Sequence, residues 1–519
     1  MTAAGPEAVV GVDVGTTSAK AVAFDSAGRT VGDAEAGYPL HEPEHGHAEQ
    51  DPAQVLDTTL GAVRDAVAEA RAAGARIAGL SVSTAMHALV ALDRDGRPLT
   101  PVVTWADTRA ADEAEELRRS RPELHGRTGT PLHPMAPLPK LMWFRAHAPD
   151  TFGAAARWGG LKELLLQALT GAWTIDHSCA SGTGLLDLER LDWDAEALEL
   201  AGVEPDQLGT LVPTTEVLEL SGEAAGRLGL DAGTPVVAGA GDGPLANLGV
   251  GAVRPGVAAC SIGTSGALRL MVERPAVDER RRVFCYALAP ERWVVGGAIN
   301  NGGAVLRWVG EALAPDLGEH AEAQLTDLAA TVPAGSEGLI MLPYLLSERA
   351  PHWSPLPRGA YVGLTRHHRR EHLVRAALEG VCQQLALVLA SMRDAGNEVR
   401  EVRATGGFGQ SELWRRMLAA ALGMPVGFPA GHEGSAFGAA LLGMEALGLV
   451  ETIDVAAELV QIADVVEPDP AEAEAYAELL PTFAALYDQL EPAFGALQRF
   501  GAHEQPVRAR PRGGGRAST

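Results

Sequence analysis

Apolar runs separated by small polar residues dominate the start of the chain. Val9-Val10-Gly11-Val12-Asp13 reads as a strand, Gly15-Thr16-Thr17 as a turn, and Ala19 to Phe24 as the returning strand. Asp25-Ser26-Ala27-Gly28 makes the next turn, and Thr30 to Ala36 a third strand, so the chain opens on an antiparallel meander. Asp51-Pro52 supplies an N-cap followed by proline in the first helical turn. Val55, Leu56, Leu60, Val63 and Val67 then recur along one helical face. Gly74 ends that helix, and Ile77 to Ser83 is an apolar strand. Later, helical periodicity spans Arg370 to Ala395 and Ser411 to Leu422. Gly438 to Val450 reads as a core helix that carries Glu445.

The opening pattern has a counterpart farther on. Val257 to Ile262 is a strand, Gly263-Thr264-Ser265-Gly266 a turn, and Ala267 to Val272 a returning strand. Two strand–Gly-Thr–strand hairpins, one early in each half, form a weak repeat at domain scale. They predict two similar α/β domains facing one another, residues 1–248 and 249–497. Residues 498–519 hold several arginines and little apolar material, which predicts a disordered basic tail.

Composition narrows the picture. A chain of 519 residues exceeds one ordinary domain and suits two large ones. A formal net charge of −25 argues against a nucleic-acid binder, which needs a basic face. It does not argue against a nucleotide, because backbone amides can bind phosphate inside an acidic protein. Cys179, Cys260, Cys285 and Cys382 show no metal-ligand spacing and are expected to be buried thiols in a reducing compartment. Met1 to Ala8 lacks the features of a signal peptide, and no run was expected to reach the ~20 apolar residues of a membrane span. The expected compartment is the cytoplasm, with no membrane partner; a homodimer stays open.

Five segments could carry chemistry. Asp13-Val14-Gly15-Thr16-Thr17-Ser18-Ala19-Lys20 puts an acid at a strand end, where it could position hydrated Mg²⁺, beside a turn rich in phosphate donors. Ser261-Ile262-Gly263-Thr264-Ser265-Gly266 repeats that turn without the acid, and the two hairpins could hold two ends of a triphosphate. Thr405-Gly406-Gly407-Phe408-Gly409-Gln410-Ser411 exposes backbone to a flat ligand, with Ser411 able to cap the next helix. Asp242 follows an apolar run between Gly241 and Gly243 and could accept a hydroxyl proton; an ordinary Asp-Gly turn reads equally well. Finally, Met86-His87 and Trp105-Ala106-Asp107-Thr108-Arg109 offer donors, acceptors and an apolar plate to a polyol. Arg109 could hold a substrate carboxylate, or merely brace Asp107.

These segments accompany two longer ones. Gly359 to Leu364 with His372 to Glu379, and Met135 to Phe144 with Ala146 in place of a usual polar residue, resemble the two signatures of the FGGY carbohydrate kinases. The resemblance covers roughly residues 8–495. It implies two ribonuclease-H-like domains of the actin/hexokinase type around a central cleft, and transfer of phosphate from ATP. It further implies Asp242 as general base and Asp13 as organiser of Mg²⁺, with Thr16, Thr17 and Lys20 nearby. Gly263 and Thr264 would cradle the γ-phosphate, Gly303 and Arg307 would border the nucleotide, and Gly406 and Gly407 would lie against adenosine. Met86, His87, Trp105 and Asp107 fall where relatives contact the sugar.

Within the family the text is most similar to the gluconokinases, which implies gluconate as substrate and 6-phosphogluconate as product. Gly129 to Pro137 and Asn300-Asn301-Gly302-Gly303 add to that likeness, and Gly243 stands where glycerol kinases have glutamine. The rivals are a xylulokinase-like activity, a catalytically silent sugar-binding regulator, and a filament-forming actin-like ATPase.

Overall fold

The structure, a computed structural model, describes residues 5–318, 321–431 and 434–503. Its frame is two mixed sheets. In the first half, Glu7–Val14, Ser18–Asp25 and Thr30–Gly37 form the expected antiparallel meander. Arg76–Thr84 joins parallel to Glu7–Val14, Pro235–Gly241 lies parallel beyond it, and Val217–Glu219 closes that edge.

The second half repeats this succession. Val257–Ile262 and Gly266–Val272 form a hairpin, with Arg292–Ile299 and Phe284–Ala289 added antiparallel on one side. Glu401–Thr405 and Val426–Pro429 add parallel on the other, and Ile462–Val466 makes the far edge. The central parallel strands are near-continuous apolar runs because helices cover both their faces. Val9 and Val10, for example, are fully buried.

Arg370–Asp394 is the main core helix of the second half. Among the described residues it alone is long and apolar enough to match a membrane span, and 83% of its apolar window is buried inside the protein. All four cysteines are buried and free, as the sequence led us to expect.

Two helices cross between the sheets. Asp242–Gly249 leaves the strand Pro235–Gly241 directly, and the expected boundary near residue 248 falls at its C-terminal end. Gly434–Ala446 packs against it and against Glu7–Val14. The approach is close enough that a Cβ on Gly438 would overlap the Leu245 carbonyl, so glycine is required there. The helix ends four residues before the expected Val450. Glu445 in its last turn accepts a hydrogen bond from the Ile453 amide, which explains a charge in this otherwise apolar segment.

The tail is corrected in part. Pro470–His503 is one continuous helix despite internal Pro481 and Pro492, so residues 498–503 are helical and not disordered. Residues 504–519 of the expected tail lie outside the described residues.

Candidate active site

The Asp13 hairpin is fixed by local bonds. The Gly15 amide donates to the Ser18 carbonyl at 2.9 Å, closing the turn. Tyr38 Oη donates to the carbonyls of Gly15 and Ser18, and Gln50 Nε2 to that of Thr16 at 2.7 Å. Asp13, opposite Lys20 across the hairpin, accepts a 2.6 Å hydrogen bond from Ser83 Oγ. Burial and the nearby Asp242 carboxylate push its pKa up to about 6. Thr16 points toward the sugar side, where its Oγ1 accepts from Trp105 Nε1 at 2.8 Å, whereas Thr17 is exposed.

The second hairpin turns at Gly263, whose amide donates to Ser265 O at 2.9 Å. The helix Gly303–Leu313 begins against this turn, with the Gly303 amide donating to Gly263 O at 2.7 Å. A cleft of about 740 Å³ opens here, bordered by Gly263, Thr264, Gly303, Arg307, Gly407 and Ser411. Six of the residues expected around the nucleotide thus share one wall. Gly406 lies behind it, against the Ile262 carbonyl. Ser411 caps the helix Glu412–Leu422 by accepting from the Trp414 amide.

Asp242 stands at a strand-to-helix junction, not in a simple Asp-Gly turn. A register shift between Val237 and Ala240 precedes it, and Gly239, at φ +72°, sits so close to Val82 that a Cβ would overlap its carbonyl. This bulge aims the strand end into a second pocket of about 220 Å³, lined in part by Thr16, Met86, His87, Trp105 and Asp242. One Asp242 oxygen accepts from the Gly243 amide at 2.7 Å. Burial raises the Asp242 pKa, opposed by Arg269. His87 is held neutral, at about 3, chiefly by burial. Its Nδ1 lies 2.6 Å from Gly182 O, so Nδ1 donates and Nε2 is left as an acceptor.

Two expected sugar ligands do not line this pocket. The Asp107 carboxylate is occupied by the Ala48 amide at 2.8 Å and by Arg109, whose amide and Nε reach it at 3.0 and 2.9 Å. Arg109 also pairs with Glu49 and lies over the Trp143 ring. Of the two roles the sequence left open for Arg109, the geometry favours the brace: its amide, Nε and Nη2 are engaged by Asp107 and Glu49, and it does not line the pocket.

Residues the sequence reading passed over make up the rest. Lys140, inside one signature segment, is fully buried and donates to the carbonyls of His87, Thr104 and Met135 at 2.7–2.8 Å. It ties together three segments of the sugar wall. Lys162 does the same for two strands, donating to Val82, Ala238 and Ala240 carbonyls and pairing with Asp176 at 3.2 Å. Arg269, Tyr286 and Arg349 also face the 220 Å³ pocket.

Known proteins share this arrangement. Residues 8–249 match the N-terminal domain, and residues 258–447 the C-terminal domain, of the FGGY family of carbohydrate kinases. A gluconokinase of Bacillus subtilis is 41% identical over 93% of this chain and 96% of its own. A crystal structure of gluconate kinase from Lactobacillus acidophilus matches with TM-score 0.90 and 34% identity, covering 95% of this chain and all of that one. A ligand-bound structure from the same organism, described as a xylulose kinase, matches with the same coverage, TM-score and identity. With both family domains matched in order over most of its length, the chain belongs to the FGGY family of carbohydrate kinases.

Proposed function

We infer that this protein transfers the γ-phosphoryl group of ATP to the terminal hydroxyl of gluconate, giving 6-phosphogluconate and ADP. One observation carries the reading beyond family membership. The hairpin Ser261–Gly266 divides two cavities: Ile262, Gly263 and Thr264 border the larger, and Ser261, Ser265 and Gly266 the smaller, which holds Asp242. A nucleotide on one side can therefore present its terminal phosphate to a sugar on the other.

In this reading Asp242 accepts the proton of the sugar O6 hydroxyl. That oxygen bonds to the γ-phosphorus as the bond from phosphorus to the β–γ bridging oxygen breaks, and ADP carries away the bonding pair. The Gly263 and Thr264 backbone and the Thr17 hydroxyl surround the phosphates, while Trp105, held by its Nε1 bond to Thr16 and by Arg349 over its ring, supports the sugar. Asp13 fits Mg²⁺ held mostly by phosphate and water oxygens, since two neighbouring carboxylates with raised pKa values favour a cation between them. When bound, the ion would neutralise charge on the phosphates.

A xylulose substrate is the second reading, supported by the equal likeness to the Lactobacillus xylulose kinase structure. The presence of both Asp13 and Asp242 counts against a silent regulator. Turnover of gluconate, D-xylulose, D-glucitol and glycerol decides. Gluconate should give the highest kcat/KM; a clear preference for D-xylulose would remove the gluconate assignment and leave the kinase.

The two carboxylates set a pH dependence. Both are needed ionised, and both have pKa values raised in the folded protein, so activity is lost as pH falls. Below about pH 6 Asp13 takes up a proton, and kcat/KM, which reports the free enzyme, should decline. Its profile for gluconate should keep a plateau above pH 7. A flat profile down to pH 5 would show that Asp13 does not titrate near 6 in the working enzyme.

A further inference from the structure

The smaller pocket contains more positive charge than its protein partners use. Arg269 rises from the strand Gly266–Val272 on the same face as Ala267, two positions earlier, so both side chains meet the pocket. Its guanidinium makes one hydrogen bond among the described residues, to Ser261 Oγ at 3.5 Å, the limit of a contact. Arg349 lies 4.8 Å over the Trp105 ring and donates through Nη2 to Ile299 O at 3.2 Å, while its buried Nε has no partner. The hydroxyl of Tyr286, a residue only 3% exposed, has none either. Tyr286 is held in place by stacking on Phe284 at 4.4 Å and by the His87 ring edge.

Neither arginine has a carboxylate within ion-pair distance among the described residues. Burial draws the Arg349 pKa down to about 10; the Glu348 carboxylate opposes the shift and the like charge of Arg269 adds to it. Two desolvated cations with spare donors are costly alone and favourable around an anion. None of the three residues borders the nucleotide cleft; all three line the pocket that holds Asp242 and receives the sugar, so the anion they suit is one bound there.

We propose that Arg269, aided by Arg349 and the Tyr286 hydroxyl, binds the carboxylate of the sugar-acid substrate and selects it over neutral sugars. Gly243 makes the space. A Cβ there would already stand 3.6 Å from Arg269 Nε, so a longer side chain beside Asp242 would displace the guanidinium. This assignment rests on the gluconate reading and places on the strand Gly266–Val272 the specificity that the sequence had allowed Arg109, in a loop, to supply.

The test compares gluconate with D-glucitol, which has the same carbon chain and a hydroxymethyl group in place of the carboxylate. The wild type should prefer gluconate strongly. Arg269→Met should lower kcat/KM for gluconate by about 10²–10³-fold, as loss of one member of a buried charge pair does, and change that for glucitol far less. Arg269→Lys should recover part of the loss, since it restores charge without the two-pronged geometry. Tyr286→Phe removes one oxygen and should narrow the preference by about 3- to 10-fold. Nucleotide binding, followed by calorimetry, shows that each variant is folded; if Arg269→Met is not, the Lys and Phe variants carry the comparison. Equal losses on both sugars, or an unchanged ratio in all variants, would overturn the proposal and leave the gluconate reading intact. A wild type that phosphorylates neutral sugars and not gluconate would overturn both.

Discussion

Replacing Asp242 by Asn should reduce kcat by ~10²–10⁴-fold, the usual contribution of a positioned general base. The substitution preserves size and leaves an oxygen able to accept from the Gly243 amide, now 2.7 Å away. It removes the negative charge and the basic oxygen, which is what the O6 proton needs. It also removes the carboxylate that opposes ionisation of Asp13, so Asp13 should be more fully ionised at neutral pH. Nucleotide affinity should hold or improve, while phosphoryl transfer fails. Single-turnover kinetics with pre-bound ATP would separate the two effects. A variant with turnover within a few-fold of wild type would show that another group accepts the proton, and Asp13 would be the next to change.

The second large effect is on stability. Lys162→Met should cost about 3–5 kcal/mol, the range for removing one partner of a buried ion pair. Lys162 is 2% exposed and Asp176 fully buried, so no water takes the place of the ammonium. Three carbonyls on the strands that end at Thr84 and Gly241 lose their donor at the same time. The urea midpoint should fall markedly, and kcat with it, because those strand ends carry Ser83 and Asp242. Adding Asp176→Asn to Lys162→Met should restore part of the loss by removing the stranded charge, while the Asn oxygen can still cap the Cys179 amide. A double variant no more stable than the single one would show that the carbonyl bonds, and not the ion pair, dominate.

Much of this architecture could be read from the chain, and for a physical reason. Strands with apolar alternation and Gly-Thr turns announce themselves locally, so the two hairpins and the helices Pro52–Ala72 and Arg370–Asp394 fall close to their expected limits. The residues that line the larger cleft were legible because Gly263 and Gly407 sit in exposed turns. Asp242 needed the family resemblance: locally it is an Asp-Gly pair, and the bulge that aims it forms only when Pro235–Gly241 pairs with Arg76–Thr84. Arg269 gave no signal, since a single arginine in the strand Gly266–Val272 looks like a solvent-facing position until the fold shows which face meets the pocket. Lys140 and Lys162 were hidden similarly, because their partners are carbonyls of distant segments. Arg109 misled for the opposite reason. Two residues from Asp107, it satisfies that carboxylate within its own loop, at a distance from the pocket.

The crossing of Asp242–Gly249 with Gly434–Ala446 has a mechanical consequence. Close glycine-mediated contact at Gly438 and Gly249 resists sliding, so a relative movement of the two sheets would turn about this crossing. Displacement under rotation grows with distance from the axis. Asp242 is the first residue of one of these helices and would travel little in such a turn. A general base seated there would keep its alignment with a bound sugar through such a movement.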